Sequence, residues 1–224
     1  MCRRRGPWCI SAGRDSRLPA FVSKIAVMKR SIAITLSVVS LVIAVAAQTG
    51  MRSGLKDGVY YNAELGVRYT PPQGMTDETA DARETVRARA AVAHTTNTFD
   101  VLLRLVSGPD DDAADWHSVA IETYPRSKFA NLSDSAAEEK INMWAAGREV
   151  VSAVEKPKRM SVAGADFIVS EFEHSDPSVQ RNARVVSTIR NGKLLVIAFT
   201  VNASDRLNAV AESIQTLQFS KTGK

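Results

Sequence analysis

The chain has 224 residues, with 29 basic and 24 acidic side chains, two cysteines and an isoelectric point near 9.4. Residues 1–47 hold eight of the basic residues, one of the acidic residues and both cysteines, so residues 48–224 carry 21 basic against 23 acidic residues and no cysteine. That composition excludes disulfides, cysteine-based zinc sites and thiol catalysis from residues 48–224. It also leaves no basic field for nucleic acid or for an acidic membrane.

The N-terminal segment has the order of a secretory signal. Three residues, Met28, Lys29 and Arg30, precede an uncharged run at 32–47 that ends in small residues. At ~1.5 Å per residue this run spans about 24 Å as a helix, less than the ~30 Å hydrocarbon core of a bilayer. We therefore expect a cleaved signal peptide at 28–47, preceded at 1–27 by an extension upstream of the true start.

Cleavage of this signal predicts a mature protein that is periplasmic or secreted and meets the membrane only during export. The alternative is a membrane-tethered structural protein that retains its leader. An N-terminus at Ala47 or Gln48 in the exported protein would exclude that alternative.

The mature chain is predicted to be a flexible linker, 48–57, followed by a single domain at 58–220. Short β-type runs predict a hairpin, and an Ala-, Arg- and Glu-rich stretch with small residues at helical spacing predicts a peripheral helix. A strand follows in which Phe99, Val101, Leu103 and Leu105 alternate with other residues and are expected on one face. The predicted hairpin consists of 59–61 and 65–69, the predicted helix spans 76–93, and the strand with alternating residues spans 98–106. A further strand is predicted at 116–124.

The second half of the domain has stronger signals. Ser135 and Glu138 have the spacing of a capping box, which predicts a helix that ends at Gly147. The basic stretch 156–159 is interpreted as a surface loop, and strands are expected at 166–174 and 181–190. Asn191 and Gly192 then predict a type I′ hairpin.

The strand that leaves this hairpin, 193–201, is apolar on both pleat faces, which is typical of a central strand covered on both sides. A closing helix is predicted from Ser204, with apolar residues at helical spacing as far as Leu217. Because turns join the strands and helices are few, the fold class is α+β: an antiparallel β-sheet flanked by helices, in an α/β/α sandwich.

Two groups of motifs resemble PsbP-like and Mog1-like domains. The first is Tyr61-Asn62 ahead of a glycine-containing hairpin, 66–69, that ends at Pro71. The second is the Asn191-Gly192 hairpin with its apolar strand and C-terminal helix. The resemblance covers roughly residues 58–219 and implies an antiparallel sheet flanked by helices in a small secreted or lumenal protein. It implies no reaction, and no functional residue is transferred from it.

Two sets of side chains are candidates for a site. The acidic loop 110–115 and the nearby His117 contain weak candidate metal ligands, namely Asp110, Asp112 and His117. The loop lacks the residue spacing of a calcium-binding loop. Aromatic side chains at the ends of strands can line a groove, which makes Tyr60, Tyr61, Trp116 and His117 weak candidates for ligand binding.

These observations favour a non-enzymatic binding or accessory module without a cofactor. Its partner is expected to be an unknown envelope protein or a small ligand, and no residue is assigned a catalytic role. The alternative is an envelope hydrolase that uses His117 with the acidic loop 110–115.

Overall fold

The computed structural model describes residues 53–94, 99–147, 151–174 and 181–220. All of them lie in the unit Gln48–Lys224. The predicted signal peptide, 28–47, and the extension before it fall outside the described residues. Within the described ranges, no helix combines the length and the apolar character needed to cross a membrane.

The described residues form strands and short helices in the following order. The elements are β1 (Gly54–Lys56), β2 (Val59–Asn62), β3 (Val67–Tyr69), β4 (Thr76–Asp77), α1 (Thr79–Val92), β5 (Asp100–Val106), β6 (His117–Pro125), α2 (Asp134–Gly147), β7 (Val151–Ala153), β8 (Lys158–Val162), β9 (Ala165–His174), β10 (Asn182–Arg190), β11 (Lys193–Val201), α3 (Leu207–Ala211) and β12 (Gln218–Phe219). Short 3₁₀ segments follow β6 and flank α3.

The strands make two antiparallel sheets. The large sheet has the order β4-β5-β6-β11-β10-β9-β7, with β8 also paired to β9, and the small sheet has the order β1-β2-β3-β12. Both positions of the β10–β11 turn have positive φ, +48° at Asn191 and +72° at Gly192. That geometry is the one a two-residue type I′ turn requires, so the predicted hairpin is confirmed.

Strand β11 lies at the centre of the large sheet, between β6 and β10. Its alternate residues enter two separate cores, with Leu194 and Val196 in one and Leu195 and Ile197 in the other. All four side chains are fully buried. The prediction of a strand covered on both faces is therefore confirmed.

The two cores have different covers. Helix α2 packs on β9, β10 and β11 through its buried residues Ala137 and Ile141. The opposite core contains residues of the small sheet and of α3, among them Tyr60, Tyr69 and Leu207. The α+β class with an antiparallel sheet flanked by helices is confirmed, and a second sheet contributes to one of the covering layers.

Three local predictions need correction. Strand β1 lies within the segment 48–57 that was predicted to be a flexible linker; it pairs with β2, and its Leu55 packs against the core. Helix α2 begins two residues earlier than predicted, at Asp134: the Ser133 hydroxyl, and not that of Ser135, accepts a hydrogen bond from Ala136 N in the first turn, at 3.3 Å. The basic stretch predicted to be a loop is partly the start of β8.

The C-terminal helix is also shorter than predicted. Ser204 starts a 3₁₀ segment without a side-chain cap, and only Leu207–Ala211 is α-helical before the chain returns to 3₁₀ geometry. The apolar residues that predicted the helix are nevertheless buried, from Leu207 to Leu217. Burial of these side chains is compatible with both helical geometries, so periodicity alone did not distinguish them.

Candidate functional site

A cavity of about 260 Å³ lies between α1, the start of β5 and the turn that joins β2 to β3. Apolar side chains and charged side chains both contribute to its wall, as in most small-molecule sites. The lining residues are Glu64, Leu65, Arg83, Val86, Arg87, Phe99, Asp100, Val101, Leu102, Thr123 and Lys193.

A β-bulge in β5 shapes the apolar part of the wall. The pairing of β5 with β6 shifts register between Val101 and Leu103, so that Val101 is opposite Glu122 whereas Leu103 is opposite Ile121. In a regular strand adjacent residues face opposite sides, but a bulge changes that alternation. Consecutive residues Val101 and Leu102 therefore both line the cavity.

The bulge also corrects the predicted strand face. Leu103 and Leu105 enter the core on the small-sheet side, but Phe99 packs against the core under α2, where its ring stacks on Tyr124 with the centroids 5.1 Å apart. The prediction that Phe99 shares their face is wrong, because the extra residue reverses the alternation between them.

Arg83 connects α1 to this bulge. Its Nε donates to the carbonyl oxygen of Val101 at 2.7 Å, and its Nη2 donates to that of Leu102 at 3.1 Å. A bulge interrupts the hydrogen bonds between strands, so its carbonyl groups need other donors. Arg83 supplies them, which holds the helix against the strand and places a cation in the cavity wall.

The opposite rim is held by a contact between the two hairpin turns. The Lys193 ammonium lies 2.6 Å from Glu64 Oε1, and Asn191 Nδ2 donates to the backbone oxygen of Glu64 at 2.6 Å. These contacts join the β10–β11 turn to the β2–β3 turn. Lys193 is therefore partly neutralised by an acid of the same wall.

The guanidinium of Arg87 is the remaining cation of the wall. It lies four residues after Arg83 on α1, so both side chains project from one side of the helix. Among the described residues Arg87 has no ion pair, and its side chain is exposed. It is thus available to an incoming anion.

The tyrosine candidates lie on opposite faces of β2. Tyr60 is buried, and its hydroxyl accepts a hydrogen bond from Asn62 Nδ2 at 3.2 Å. Burial raises the pKa of Tyr60, while the Asn62 hydrogen bond and the nearby charge of Arg83 lower it. Tyr61 is half-buried beneath Arg68, whose guanidinium carbon lies 5.7 Å from the ring centroid.

The acidic loop 110–115 joins β5 to β6, and none of its residues lines the cavity. The carboxylates of Asp110, Asp111 and Asp112 lie within 4.8 Å of one another and are all exposed. His117 is not part of this cluster; its Nδ1 lies 3.0 Å from the backbone oxygen of Asp115. The structure therefore brings Asp110 and Asp112 together but does not bring His117 to them.

Trp116 is enclosed by cationic side chains. Its ring is buried, and the guanidinium carbons of Arg104 and Arg181 lie 5.9 Å and 5.2 Å from its centroid. Arg181 also contacts Asp111, with Nη2 3.8 Å from a carboxylate oxygen. These contacts attach the acidic loop to the sheet, and they leave little of the Trp116 ring accessible to a ligand.

Sequence reasoning missed the cations of the cavity wall. The available signal was the i, i+4 spacing of Arg83 and Arg87 beside the small residues of the predicted helix face. Lys193 was identified only as the first residue of β11. No sequence signal indicated that the two hairpin turns and α1 would meet around one cavity, because that meeting depends on the packing of the small sheet.

Solved structures with a similar fold include the following three. The solution structure of CyanoP, a PsbP from the cyanobacterium Synechocystis, matches with a TM-score of 0.47 and 14% identity over 77% of this chain and 99% of CyanoP. A PsbP is therefore among the structures of similar fold, and the similarity concerns the fold alone.

The other two matches are more distant. A crystal structure of a protein from Bacteroides thetaiotaomicron gives a TM-score of 0.43 and 10% identity over 76% of this chain and 51% of that one. LpqN, which is involved in cell envelope biogenesis of Mycobacterium tuberculosis, gives 0.36 and 8% over 56% of this chain and 80% of LpqN. All three similarities concern the fold alone. No protein-family model matches the sequence, and no curated protein does.

Proposed function

We propose that this protein is an exported, non-enzymatic binding module and that it binds its ligand in the cavity between α1, β5 and the β2–β3 turn. The observation that carries the proposal is the cavity itself, with buried apolar residues in its wall and cations at its rim. Small-molecule sites are concave and combine apolar side chains with polar groups that orient the ligand; in this cavity five of the eleven lining residues are apolar and five are charged.

The polar groups of the wall suit binding better than catalysis. Arg83 and Arg87 supply guanidinium groups, which bind carboxylate and phosphate oxygens through several N–H donors and offer no acceptor. Lys193 is held by Glu64, with 2.6 Å between nitrogen and oxygen. Such groups orient a bound molecule, which is the task of an accessory or carrier protein.

Export is supported by the leader pattern of residues 28–47, described above from the sequence. The body that follows carries a slight excess of acidic residues, as counted for 48–224. Such a body has no general attraction to nucleic acid or to anionic lipid. The proposed setting is therefore the periplasm or the extracellular space, with an envelope protein or a small molecule as partner.

A cavity-filling substitution tests the proposal. Val86 lines the cavity and is half-buried, so the indole of Val86→Trp would occupy ligand space. The protein is incubated with a small-molecule extract of its own cells and examined by native mass spectrometry. We expect the unmodified protein to retain a small molecule and Val86→Trp to lose at least nine-tenths of it.

The neighbouring substitution Thr85→Trp is the matched control. Thr85 is exposed on the same helix and does not line the cavity, so this variant adds the same side chain without filling it. It should retain the ligand as the unmodified protein does. Equal retention by Val86→Trp, or no bound molecule on any of the three proteins, would contradict a ligand site in this cavity.

A further inference from the structure

We infer that the ligand of this cavity is a small organic oxyanion, whose charged head pairs with Arg87 and Arg83 and whose apolar body lies against Val86, Phe99 and Leu102. This inference rests on the proposed function and adds the chemical class of the ligand. Its support comes from the charge balance of the wall, the spacing of the two arginines and the size of the cavity.

The charges of the wall do not balance. Its cations are Arg83, Arg87 and Lys193, and its acids are Glu64 and Asp100. Glu64 is paired with Lys193. Two guanidinium groups therefore remain against Asp100, which makes no ion pair with any residue that the structure describes. A net positive charge is left for an anion to neutralise.

The hydrogen bonds of Arg83 do not remove its charge. Two of its N–H groups donate to the neutral carbonyls of Val101 and Leu102. A guanidinium has five N–H groups, so these bonds use only part of its donor capacity. The contact orients the side chain by two hydrogen bonds and leaves the positive charge uncompensated.

The spacing of the arginines also favours an anion. Residues four apart on a helix have their Cβ atoms about 5–6 Å apart, and like charges at this spacing repel each other. An oxyanion that accepts hydrogen bonds from both groups relieves that repulsion. Planar guanidinium groups suit carboxylate and phosphate heads because they can donate to two oxygens at once.

The size of the cavity limits the body of the ligand. A volume of 260 Å³ corresponds to about nine water molecules at ~30 Å³ each, hence to a ligand of about ten non-hydrogen atoms. It falls just below the ~300–1,000 Å³ of common ligand pockets. An inorganic anion would leave the apolar wall uncovered, so an anion with a compact apolar group fits better.

Isothermal titration with phenylacetate tests this class. Phenylacetate combines a carboxylate with a ring of suitable size, phenylacetamide is its neutral counterpart, and acetate lacks the ring. We expect phenylacetate to bind at least tenfold more tightly than either of the other two. Phenyl phosphate belongs to the same series; binding of either oxyanion supports the inference, and their affinity ratio identifies the head as carboxylate or phosphate.

Substitutions on α1 locate the anion. Arg87→Ala should weaken phenylacetate binding at least tenfold, and Arg87→Lys should weaken it less because it keeps the charge but loses the planar fork. Arg89→Ala is the control, since Arg89 is exposed on the same helix, carries the same charge and does not line the cavity. Its affinity should stay within twofold of the unmodified protein.

Three results would overturn the inference. They are equal affinities for phenylacetate and phenylacetamide, equal losses in Arg87→Ala and Arg89→Ala, and no binding of either oxyanion at millimolar concentration. None of them bears on the retention experiment with Val86→Trp, which decides whether the cavity binds a ligand at all. The ligand class can therefore fail while the binding function stands.

Discussion

Gly66 lies in the β2–β3 turn beside the candidate site, with a φ of +63° that favours glycine. A Cβ at this position would lie 2.8 Å from Ser220 Oγ and 3.1 Å from the Ser220 backbone oxygen. The Ser220 amide donates a hydrogen bond to the Gly66 oxygen at 2.7 Å. The two backbones lie this close because β3 pairs with the C-terminal strand β12 just beyond them. A side chain would separate them.

The substitution Gly66→Ala should destabilise the protein by about 1–3 kcal/mol, because it adds both left-handed strain and a contact with Ser220. Urea unfolding followed by circular dichroism measures the change. Gly74→Ala is the control: its φ is also positive, at +78°, but a Cβ there meets nothing within 4 Å. If both variants lose the same stability, the contact with Ser220 has no energetic importance.

Strand β11 contributes side chains to both hydrophobic cores of the domain. Its side chains alternate between two cores, and Leu194 and Leu195 are both fully buried on opposite faces. The sequence predicts this arrangement because a run of apolar residues without alternation is stable only where both faces are covered. Strands β8 and β12 carried no such pattern and were not predicted.

We expect Leu194→Ala and Leu195→Ala each to cost about 2–5 kcal/mol, since each leaves a cavity in a separate core. Val154→Ala should change stability by less than about 0.5 kcal/mol, because that side chain is exposed. Chemical denaturation gives the three values. A loss below about 1 kcal/mol in only one of the two leucine variants would mean that one face of β11 is not tightly packed.

The packing of α2 on the large sheet buries the carboxyl group of Glu138, and residues of several elements affect its pKa. Glu138 is buried, and its backbone oxygen accepts a hydrogen bond from Ser187 at 3.3 Å. The pKa of Glu138 is raised to about 7, chiefly by burial; Arg159 and Arg126 act against this rise, while Asp134 and Asp166 contribute to it. The charged form is therefore disfavoured in the folded protein.

This pKa predicts how stability depends on pH. Between about 4.5, the ordinary value, and about 7 the folded state binds more protons than the unfolded state, so the free energy of unfolding falls as pH rises. The contribution is full below 4.5 and lost above 7, and amounts to roughly 3 kcal/mol. Unfolding measured from pH 4.5 to 7.5 should show a smaller decline in Glu138→Gln than in the unmodified protein.

Glu139→Gln is the matched control for this pH series. Glu139 follows Glu138 on α2 but is exposed, so its substitution removes the same charge without changing a buried group. Its pH profile should run parallel to that of the unmodified protein. A Glu138→Gln profile with the same slope would show that this carboxyl group does not cause the decline.

The sequence by itself determined the α+β class, the two-faced burial of β11 and the type I′ turn at Asn191-Gly192. Each depends on local patterns: apolar residues at a fixed period, or backbone angles that only certain residues adopt with ease. The predicted helix at 76–93 likewise corresponds to α1, because its small residues recur at helical spacing, but the helix begins only at Thr79 and Thr76–Asp77 forms β4.

The tertiary structure alone decided where the candidate site lies. The bulge that turns Val101 and Leu102 toward one cavity arises from the pairing of β5 with β6, and its carbonyls are satisfied by Arg83 from another element. The rim depends on a contact between turns more than a hundred residues apart, Glu64 with Lys193. Such contacts leave no periodic pattern in the sequence, because they come from the packing of whole elements rather than from neighbours along the chain.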